Sequence, residues 1–370
     1  MLVYSGIILF FIAIFPYIVY FIGIFSRKPA PPPDPPEDLP PITMIISAYN
    51  EEKVIPDRVR NLMGSSYPKG KVELIFIDDF SSDRTFQVAQ EALEGSGFRF
   101  QVLRNPERLG TNRSYNRAIQ VAANPIIVTT DADVFFEPDA LTRVVTRLLS
   151  RDNIVAVCGD LRPIPRETGT TAYESMYRRF FGRMCDWESR IDSTYTFNGA
   201  LVAFRKDRVN RIDEKKGSDD ANTAFEAIRR GYRAVYEISA VVYEYIPPDF
   251  PTQYRQKIRR AKRLIEATLA NLDLLGHRRP FSRFFYPMRI LMYVVSPALF
   301  FAGLILTALG VLLLSPVLFL AIAMAFALGL LVWRRNLFVA FTLNQFYLLA
   351  GLFNLPRETR IWESTTQDVT

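Results

Sequence analysis

Two aspartates near the middle of the chain stand one residue apart, directly after an apolar run. The run is Ile-Ile-Val at 126–128, and its β-branched residues predict a buried strand that leads to Asp131 and Asp133. Side chains alternate along a strand, so both carboxylates would point the same way if the extended geometry continues. Paired carboxylates suit a hard cation such as Mg²⁺ or Mn²⁺, which prefers oxygen ligands. By itself, the same pattern is also typical of an acidic turn.

Two earlier apolar runs also lead into polar residues. The runs at 42–48 and 72–77 predict strands; Tyr49 and Glu51 follow the first, and Asp78 and Asp79 follow the second. In a parallel sheet the carboxyl ends of the strands lie along one edge, where ligand sites form. Three such strand ends favour a binding site over a chance pair of aspartates. The alternative for Asp78 and Asp79 is a turn that enters a helix.

The elements that would position these residues alternate between strands and helices. Helices are predicted at about 54–63, 83–93 and 114–122, and a third short strand at 100–103. This alternation predicts parallel β-α-β units. The expected fold class is therefore α/β, with a doubly wound, mostly parallel sheet.

A second acidic pair, Asp219 and Asp220, precedes a predicted helix at about 221–230. The dipole of a helix favours the anionic form of a carboxylate near its first turn, which suits a group that accepts a proton. The alternative is capping of the helix by Asp219 or Ser218, and the two roles are compatible.

A strongly basic segment at 254–263 carries six cations in ten residues, and it also contains Gln256. In a helix, Gln256 and Arg260 share one face, and Arg259 shares another with Arg255. One face would meet an anionic ligand such as a diphosphate, while another would rest on lipid head groups. A nucleic-acid partner is disfavoured, because the segment lies close to an apolar run and no nucleic-acid-binding module is recognisable.

Three long runs carry no charged residue, at 2–25, 290–332 and 337–355. About 20 apolar residues span a bilayer core, so the first run predicts one helix and the second is long enough for two. The third run is marginal, because Asn344, Gln345 and Asn354 interrupt it. We therefore expect a multi-pass protein of the cell membrane with a large domain between its apolar ends.

The first run is expected to be a retained anchor, because it has no basic residues before it and Arg27 and Lys28 after it. That basic pair and the many arginines that follow place the central domain in the cytoplasm. The net charge of +7 fits anionic ligands and an anionic membrane surface equally well. The predicted parts are a transmembrane anchor at 1–26, a proline-rich linker at 27–41, a cytoplasmic α/β domain at 42–250, basic interfacial helices at 251–286, a transmembrane region of two to three helices at 287–355 and a tail at 356–370.

Several short motifs, in this order, resemble those of membrane-bound family 2 glycosyltransferases with a GT-A fold, the group of the cellulose, chitin and hyaluronan synthases. They are SAYNE at 47–51, IDDFSSDRT at 77–85, TDAD at 130–133, FNGA at 197–200, GSDD at 217–220, RRGY at 229–232 and QKIRR at 256–260. The resemblance covers about 42–263 and extends to the flanking helices.

The resemblance implies an inverting transfer of a sugar from a nucleotide donor, UDP-linked by preference, to a polysaccharide or a lipid-linked acceptor. Asp133 with Asp131 would hold Mg²⁺ or Mn²⁺ and the diphosphate, and Asp220 would be the general base. The residues implied in binding the nucleotide are Tyr49, Glu51, Asp78, Asp79, Arg113 and Asp131. Those implied at the acceptor are Phe197, Asn198 and Gly199, and those implied in catalysis beside Asp220 are Asp219, Gln256, Arg259 and Arg260.

Two positions depart from the family pattern. Arg260 stands where the family's motif has a tryptophan, which weakens the prediction of a processive polymer synthase. Thr111 stands where the family usually has a lysine, and Arg113 is the predicted replacement for that cation.

Two alternative functions remain open at this point. One is the transfer of a single sugar to polyprenyl phosphate. The other is a membrane-tethered nucleotide-binding or scaffold protein that has lost catalysis, which would have no need of Asp220, Gln256 and Arg259 together. The identity of the sugar, the linkage and the oligomeric state leave no trace in the sequence.

Overall fold

The computed structural model describes residues 1–26, 31–164, 169–214, 219–246, 250–332 and 337–356, with no side chain described at 169–173, 219, 250, 326–332 and 337. The chain divides into two compact units. The helical unit comprises the described residues of Met1–Lys28, Pro165–Tyr177 and Tyr254–Glu358. The sheet unit comprises those of Pro29–Ile164 and Arg178–Gln253.

The sheet unit contains an eight-stranded mixed sheet with the strand order β3-β2-β1-β4-β7-β6-β8-β5. The strands are β1 (Ile42–Ala48), β2 (Val72–Asp78), β3 (Arg99–Arg104), β4 (Ile126–Asp131), β5 (Val134–Phe136), β6 (Ile154–Pro163), β7 (Val202–Arg205) and β8 (Arg233–Glu244). The four strands β1 to β4 are parallel to one another. Strand β7 runs antiparallel to both β4 and β6, and β5 runs antiparallel to β8.

The helices follow the strands in the predicted alternation. Their bounds are α1 (Leu2–Phe25), α2 (Ile55–Met63), α3 (Thr85–Leu93), α4 (Thr111–Val121), α5 (Ala140–Leu149), α6 (Gly169–Ile191), α7 (Asp219–Arg229), α8 (Phe250–Ala270), α9 (Tyr286–Ile290), α10 (Ser296–Leu314), α11 (Pro316–Val332) and α12 (Leu337–Phe353). The predicted α/β class with a doubly wound sheet is confirmed. Helix α4 begins three residues before its predicted start, because Gly110, at φ +83°, opens the turn that enters it.

The central strands are buried on both faces because helices cover the sheet. Every residue of β2 is buried, and β1 is buried at every position except Ser47. The register aligns Ala48 with Asp78 and Ser47 with Asp131. The strands β1, β2 and β4 therefore end at the same level, and the polar residues at their carboxyl ends lie at one edge of the sheet.

The extended geometry does not continue through the central pair of aspartates. Strand β4 ends at Asp131, and Ala132 and Asp133 form a turn before β5 begins at Val134. Strand alternation therefore does not make the carboxylates of Asp131 and Asp133 point the same way. Their relative placement depends on the turn.

In the helical unit, two continuous helical stretches of the described chain are long and apolar enough to cross a membrane, Leu2–Phe25 and Phe281–Leu314. Helices α1 and α10 pack closely, since a Cβ on Gly303 would lie 2.8 Å from the carbonyl oxygen of Gly6. Helix α10 stops where Ser315 adopts an extended backbone (φ −159°, ψ 105°) before Pro316. The uncharged run at 290–332 thus contains more than one helix.

A polar side chain in the third apolar run has a partner inside the helical unit. Gln345 is fully buried, and its Nε2 donates a hydrogen bond of 2.7 Å to the hydroxyl of Tyr17. Tyr17 in turn donates to the carbonyl oxygen of Met292 at 3.3 Å. The amide that interrupts the apolar run therefore has a partner for its Nε2 on α1, whereas its Oε1 is buried with no hydrogen-bond partner among the residues that the structure describes.

Candidate active site

The loops that follow β1 and β2 are joined by hydrogen bonds. The backbone N–H of Asn50 donates to Ser81 Oγ at 2.9 Å, and the N–H of Ser82 donates to the Asn50 side-chain oxygen at 2.9 Å. Asn50 (φ 54°) and Phe80 (φ 63°) both adopt the left-handed backbone conformation, which is unusual for a bulky residue such as Phe80. The N–H of Glu51, a buried residue, donates to Thr85 Oγ1 at 2.8 Å. These contacts join the loops after β1 and β2 into one rim at the carboxyl edge of the sheet.

Asp79 organises the loop that follows β3. Its Oδ1 accepts hydrogen bonds of 2.8 Å from Asn105 Nδ2 and from the N–H of Leu109, and its Oδ2 accepts one of 2.8 Å from the N–H of Gly110. A carboxylate has about four acceptor sites, so Oδ2 retains capacity for one further donor. Asp79 therefore supports the loop from within, beside any contact to a nucleotide.

Asp78 is fully buried at the same edge. Its Oδ1 accepts from the N–H of Ser81 at 3.2 Å, and Arg104 Nε lies 3.2 Å from its Oδ2. Burial raises the pKa of Asp78 from its ordinary value, and the contacts with Ser81 and Arg104 oppose that rise. The two neighbouring aspartates therefore have different surroundings.

A cation that the sequence analysis overlooked lies in the loop held by Asp79. The guanidinium carbon of Arg108 is 3.5 Å from the centroid of the Tyr49 ring. Arg108 Nε and Nη2 are buried atoms with no hydrogen-bond partner in the described part of the chain. The predicted cation, Arg113, is instead exposed, with its Nε 3.3 Å from Glu214 Oε2. Arg113 was predicted from its position in the motif that begins at Gly110. The stacking of Arg108 on Tyr49 has no local sequence signal, because the two residues are far apart in the chain.

The loop around Gly199 brings two of the predicted carboxylates together. Gly199 has φ +75°, and a Cβ built on it would lie 3.6 Å from Asp220 Oδ2 and 3.9 Å from Asp131 Oδ2. Strand β4 supplies Asp131 and the first turn of α7 supplies Asp220. Asp131 and Asp220 therefore border the same glycine from two different elements.

The other two residues of the predicted acceptor loop hold this loop in place. Asn198 Nδ2 donates to the carbonyl oxygen of Gly159 at 2.9 Å, and its Oδ1 accepts from the N–H of Ala200 at 3.2 Å. Phe197 is buried, with 6% of its surface exposed. Contacts of Phe197 and Asn198 with an acceptor stay predictions, and Gly199 is the member that borders the carboxylates.

Two asparagines of α4 hold the segment that leads towards Asp220. Asn116 exchanges two hydrogen bonds of 2.8 Å with the backbone of Ile212, one from its Nδ2 and one to its Oδ1. Asn112 Nδ2 donates to the carbonyl oxygen of Asp213 at 2.7 Å. At the start of α7, Asp220 Oδ1 accepts from the N–H of Ala221 at 2.9 Å. The side chain of Asp219 lies outside the described residues.

A buried arginine lies beside the turn that contains Asp131 and Asp133. Arg58, on α2, is 1% exposed, and its Nη2 donates to Thr130 Oγ1 at 3.0 Å. Burial lowers the pKa of Arg58 to about 9, while the negative charges of Asp133 and Asp131 oppose that change. This cation was also missed by the sequence analysis.

The donor atoms at this turn suit a hard divalent cation. Asp131 and Asp133 supply carboxylate oxygens, and the missing side chain of Gly199 leaves a gap between Asp131 and Asp220 that a Cβ would enter. Within the described ranges, no three His, Cys, Asp or Glu side chains gather closely enough to hold a metal ion by themselves. Mg²⁺ in phosphate sites is held by one or two carboxylates, with phosphate oxygens and water as the other ligands. The residues therefore fit a cation shared with a phosphate-bearing ligand.

The remaining predicted residues, Gln256, Arg259 and Arg260, lie on α8 in the helical unit. Within that unit, Lys257 Nζ is 2.6 Å from Glu174 Oε2 and 5.4 Å from the centroid of the Tyr347 ring. Lys262 and Glu266 approach at 3.5 Å along the same helix. The basic segment thus has acidic partners in its own unit.

Two family models match the chain. The model for glycosyl transferase family 2 matches residues 43–208, and the model for glycosyl transferase family group 2 matches residues 126–334. Together they cover the aspartates at 78–79, 131–133 and 219–220 and helix α8.

Curated relatives are similar over about three quarters of the chain. The probable glycosyltransferase YdaM of Bacillus subtilis (strain 168) is 25% identical over 287 residues, which are 73% of this chain and 66% of that protein. The poly-beta-1,6-N-acetyl-D-glucosamine synthase of Staphylococcus aureus (strain COL) is 24% identical over 278 residues, which are 74% of this chain and 65% of that protein. The chain therefore spans just under two thirds of the length of these relatives.

A solved structure shares the fold over nearly the whole chain. The mannosyltransferase PcManGT from Pyrobaculum calidifontis, in complex with GDP-Man and Mn²⁺, superposes with a TM-score of 0.80. The match covers 96% of this chain and 99% of that chain at 23% sequence identity. The predicted GT-A fold is thereby confirmed.

Proposed function

The chain belongs to glycosyl transferase family 2, and from this premise we propose that it is a metal-dependent inverting glycosyltransferase. It moves a sugar from a nucleotide donor to a glycan or a lipid-linked acceptor at the membrane. The observation that carries this proposal is the approach of Asp131 and Asp220 to the same glycine, Gly199. In this proposal Asp131 would help to hold the leaving diphosphate, and Asp220 would take the proton of an acceptor hydroxyl.

Direct displacement at the anomeric carbon needs one general base and a neutralised leaving group. Asp220 is the base: its Oδ1 is held by the N–H of Ala221, while its Oδ2 faces Gly199 and takes the proton of the acceptor hydroxyl. Asp131 and Asp133 would hold the divalent cation, which, when bound, offsets the charge of the diphosphate. Because Gly199 has no Cβ, space is left between Asp131 and Asp220, where the reacting groups would lie.

The nucleotide lies along the rim formed by the loops after β1, β2 and β3. Arg108 stacks on Tyr49, and the N–H groups of its Nε and Nη2 would donate to the nucleotide or its diphosphate. Asp79 positions Arg108 through the N–H groups of Leu109 and Gly110. A UDP-linked donor is the first choice, and a GDP-linked donor is the alternative.

The helical unit would place this chemistry at the membrane. Helices α1 and 281–314 have the length and the hydropathy of membrane spans, and the sheet unit would lie on the cytoplasmic side. On α8, Gln256, Arg259 and Arg260 would bind an anionic group such as a phosphate. The product would be a longer glycan or a lipid-linked sugar.

The test is the release of nucleoside diphosphate from panels of UDP-sugars and GDP-sugars by the detergent-purified full chain, with and without Mn²⁺, in the presence of membrane lipid extract. We expect one donor to be consumed, with loss of turnover in Asp220→Asn and in Asp133→Ala. The matched control is Asp152→Asn, which changes an exposed aspartate in the turn before β6. Turnover that survives Asp220→Asn would exclude Asp220 as the base, and binding of nucleotide without turnover of any donor would favour a scaffold role.

A further inference from the structure

Arg58 is a cation in an unusual position for its residue type. It lies on the buried face of α2 together with Ile55, Val59 and Leu62. Arginine is seldom fully buried unless it is paired, because transfer of its charge from water is costly. Its burial therefore calls for partners that compensate for the loss of solvent.

The partners of Arg58 lie on both sides of the turn formed by Ala132 and Asp133. On one side, Nη2 donates to Thr130 Oγ1 at 3.0 Å, at the end of β4. On the other side, the guanidinium carbon lies 4.1 Å from the centroid of the Phe136 ring, in β5. Arg58 therefore bridges the two strands that the turn connects.

Asn61, one turn further along α2, extends this bridge. It accepts a hydrogen bond of 3.0 Å from Arg58 Nη1 through its side-chain oxygen. The same side chain donates to the carbonyl oxygen of Phe136 at 2.9 Å and accepts from its N–H at 2.8 Å. Thr130 Oγ1 donates to the carbonyl oxygen of Ala200 at 2.6 Å, next to Gly199. Arg58 is thus held beside the turn at Ala132 and Asp133 and is linked through Thr130 to the loop around Gly199.

The charge of Arg58 acts on the aspartates of the turn. Among the charged groups that influence Arg58, Asp133 and Asp131 have the largest effects, and both stabilise its cationic form. Electrostatic interaction is mutual, so the fixed cation makes the electrostatic potential at both carboxylates more positive. A mobile cation at this turn therefore meets an acidic pair that is already partly neutralised.

We propose that Arg58 is a built-in countercharge that weakens the binding of a free divalent cation to Asp131 and Asp133, so that the cation is held firmly only together with the nucleotide diphosphate. This inference rests on the proposed function, because it concerns the cation that the two aspartates would hold. In this proposal Arg58 acts through Asp131 and Asp133 and is a positioning residue. Its consequence is an order of assembly: the diphosphate supplies the negative charge that the aspartate pair lacks.

The test is a titration of the full chain with Mn²⁺, followed by electron paramagnetic resonance, without nucleotide and with UDP or GDP. The variants Arg58→Met and Arg58→Gln remove the charge, Arg58→Gln keeps a donor for Thr130, and Arg58→Lys keeps the charge. The control is Arg60→Met on the same helix, where Arg60 is exposed and paired with Asp57.

We expect both neutral variants to bind free Mn²⁺ roughly five- to tenfold more tightly, the effect of one nearby unit charge in a partly screened site. The affinity in the presence of nucleotide should change less, and Arg58→Lys and Arg60→Met should resemble the wild type. A merely structural role predicts the opposite sign, because a disordered turn binds Mn²⁺ more weakly. If Arg58→Gln binds free Mn²⁺ with unchanged or lower affinity, the proposal that Arg58 acts as a countercharge is therefore overturned.

The wild type supplies a second measurement that does not depend on the folding of any variant. The countercharge requires nucleotide to tighten Mn²⁺ binding by roughly tenfold or more, which corresponds to about 1.4 kcal/mol, and equal affinity with and without nucleotide would overturn it. If the wild type binds no Mn²⁺ with either nucleotide, the proposed metal site itself fails. Tight binding that is lost in Asp133→Ala and unchanged in Arg58→Met would refute the countercharge alone.

Discussion

Substitution of Gly199 by alanine has two effects: it fills the gap between Asp131 and Asp220, and it strains a backbone conformation that favours glycine. Turnover and stability report these two effects separately. An alanine at φ +75° is strained by about 1 kcal/mol, whatever the space around it. The added Cβ would lie 3.6 Å from Asp220 Oδ2 and 3.9 Å from Asp131 Oδ2, which are ordinary van der Waals distances. The protein should therefore fold, with a melting temperature lowered by a few degrees.

The effect on turnover should be larger than the effect on stability. The new methyl group occupies the gap that the acceptor hydroxyl and the diphosphate would share, so kcat/KM should fall roughly tenfold or more, equivalent to about 1.4 kcal/mol of transition-state stabilisation. The assay is donor-dependent release of nucleoside diphosphate, measured together with thermal unfolding in the same detergent.

A second glycine provides a matched control. Gly95 also has φ +75°, and a Cβ on it would meet no atom within 4 Å. Gly95→Ala should lower the melting temperature by a similar amount and leave kcat/KM unchanged. If both variants retain the wild-type kcat/KM, the gap at Gly199 has no part in the reaction, and the placement of the active site between Asp131 and Asp220 is refuted.

Three further predictions concern the rim that would bind the nucleotide. Asp79→Asn should destabilise the fold by about 2–3 kcal/mol, because the new amide group would face backbone donors, and thermal unfolding measures this loss. Burial raises the pKa of Asp78, so the stability that its protonated form contributes is lost as pH rises from about 4, its unfolded value, through the raised folded value. The melting temperature of Asp78→Asn should therefore fall less over that pH interval than that of the wild type, and an equal fall would contradict the assignment. Arg108→Met should weaken nucleotide binding in calorimetry roughly tenfold, whereas Arg113→Met should have little effect; the reverse order would favour Arg113, the cation predicted from the sequence.

The sequence was sufficient to predict the parallel half of the sheet and its acidic edge. The strands β1, β2 and β4 are short apolar runs that end in polar residues, and this pattern depends on local residue types alone. Their parallel pairing follows from the helices between them. The antiparallel insertion of β7 between β4 and β6 was not predictable in this way, since it pairs Val128 with Ala203, 75 positions along the chain.

The two missed cations show why a site is harder to predict than a fold. Arg58 occupies a position of α2 whose periodicity predicts an apolar residue, and only the tertiary structure reveals the acidic turn that it approaches. Arg108 sits in an irregular loop whose course depends on Asp79, a residue 29 positions earlier. A local pattern carries no information about such partners.

Asp79, which directly follows β2, shows how a carboxylate can support nucleotide binding without touching the nucleotide. Asp79 was predicted to bind the nucleotide, and three of its acceptor positions take donors from the loop at 105–110. That loop carries Arg108, which stacks on Tyr49. Loss of Asp79 would therefore weaken nucleotide binding by releasing Arg108, even if the carboxylate never meets the base. A double-mutant cycle between Asp79→Asn and Arg108→Met should then show a coupling free energy of about 1 kcal/mol or more in nucleotide affinity, while additive effects would assign Asp79 a direct contact of its own.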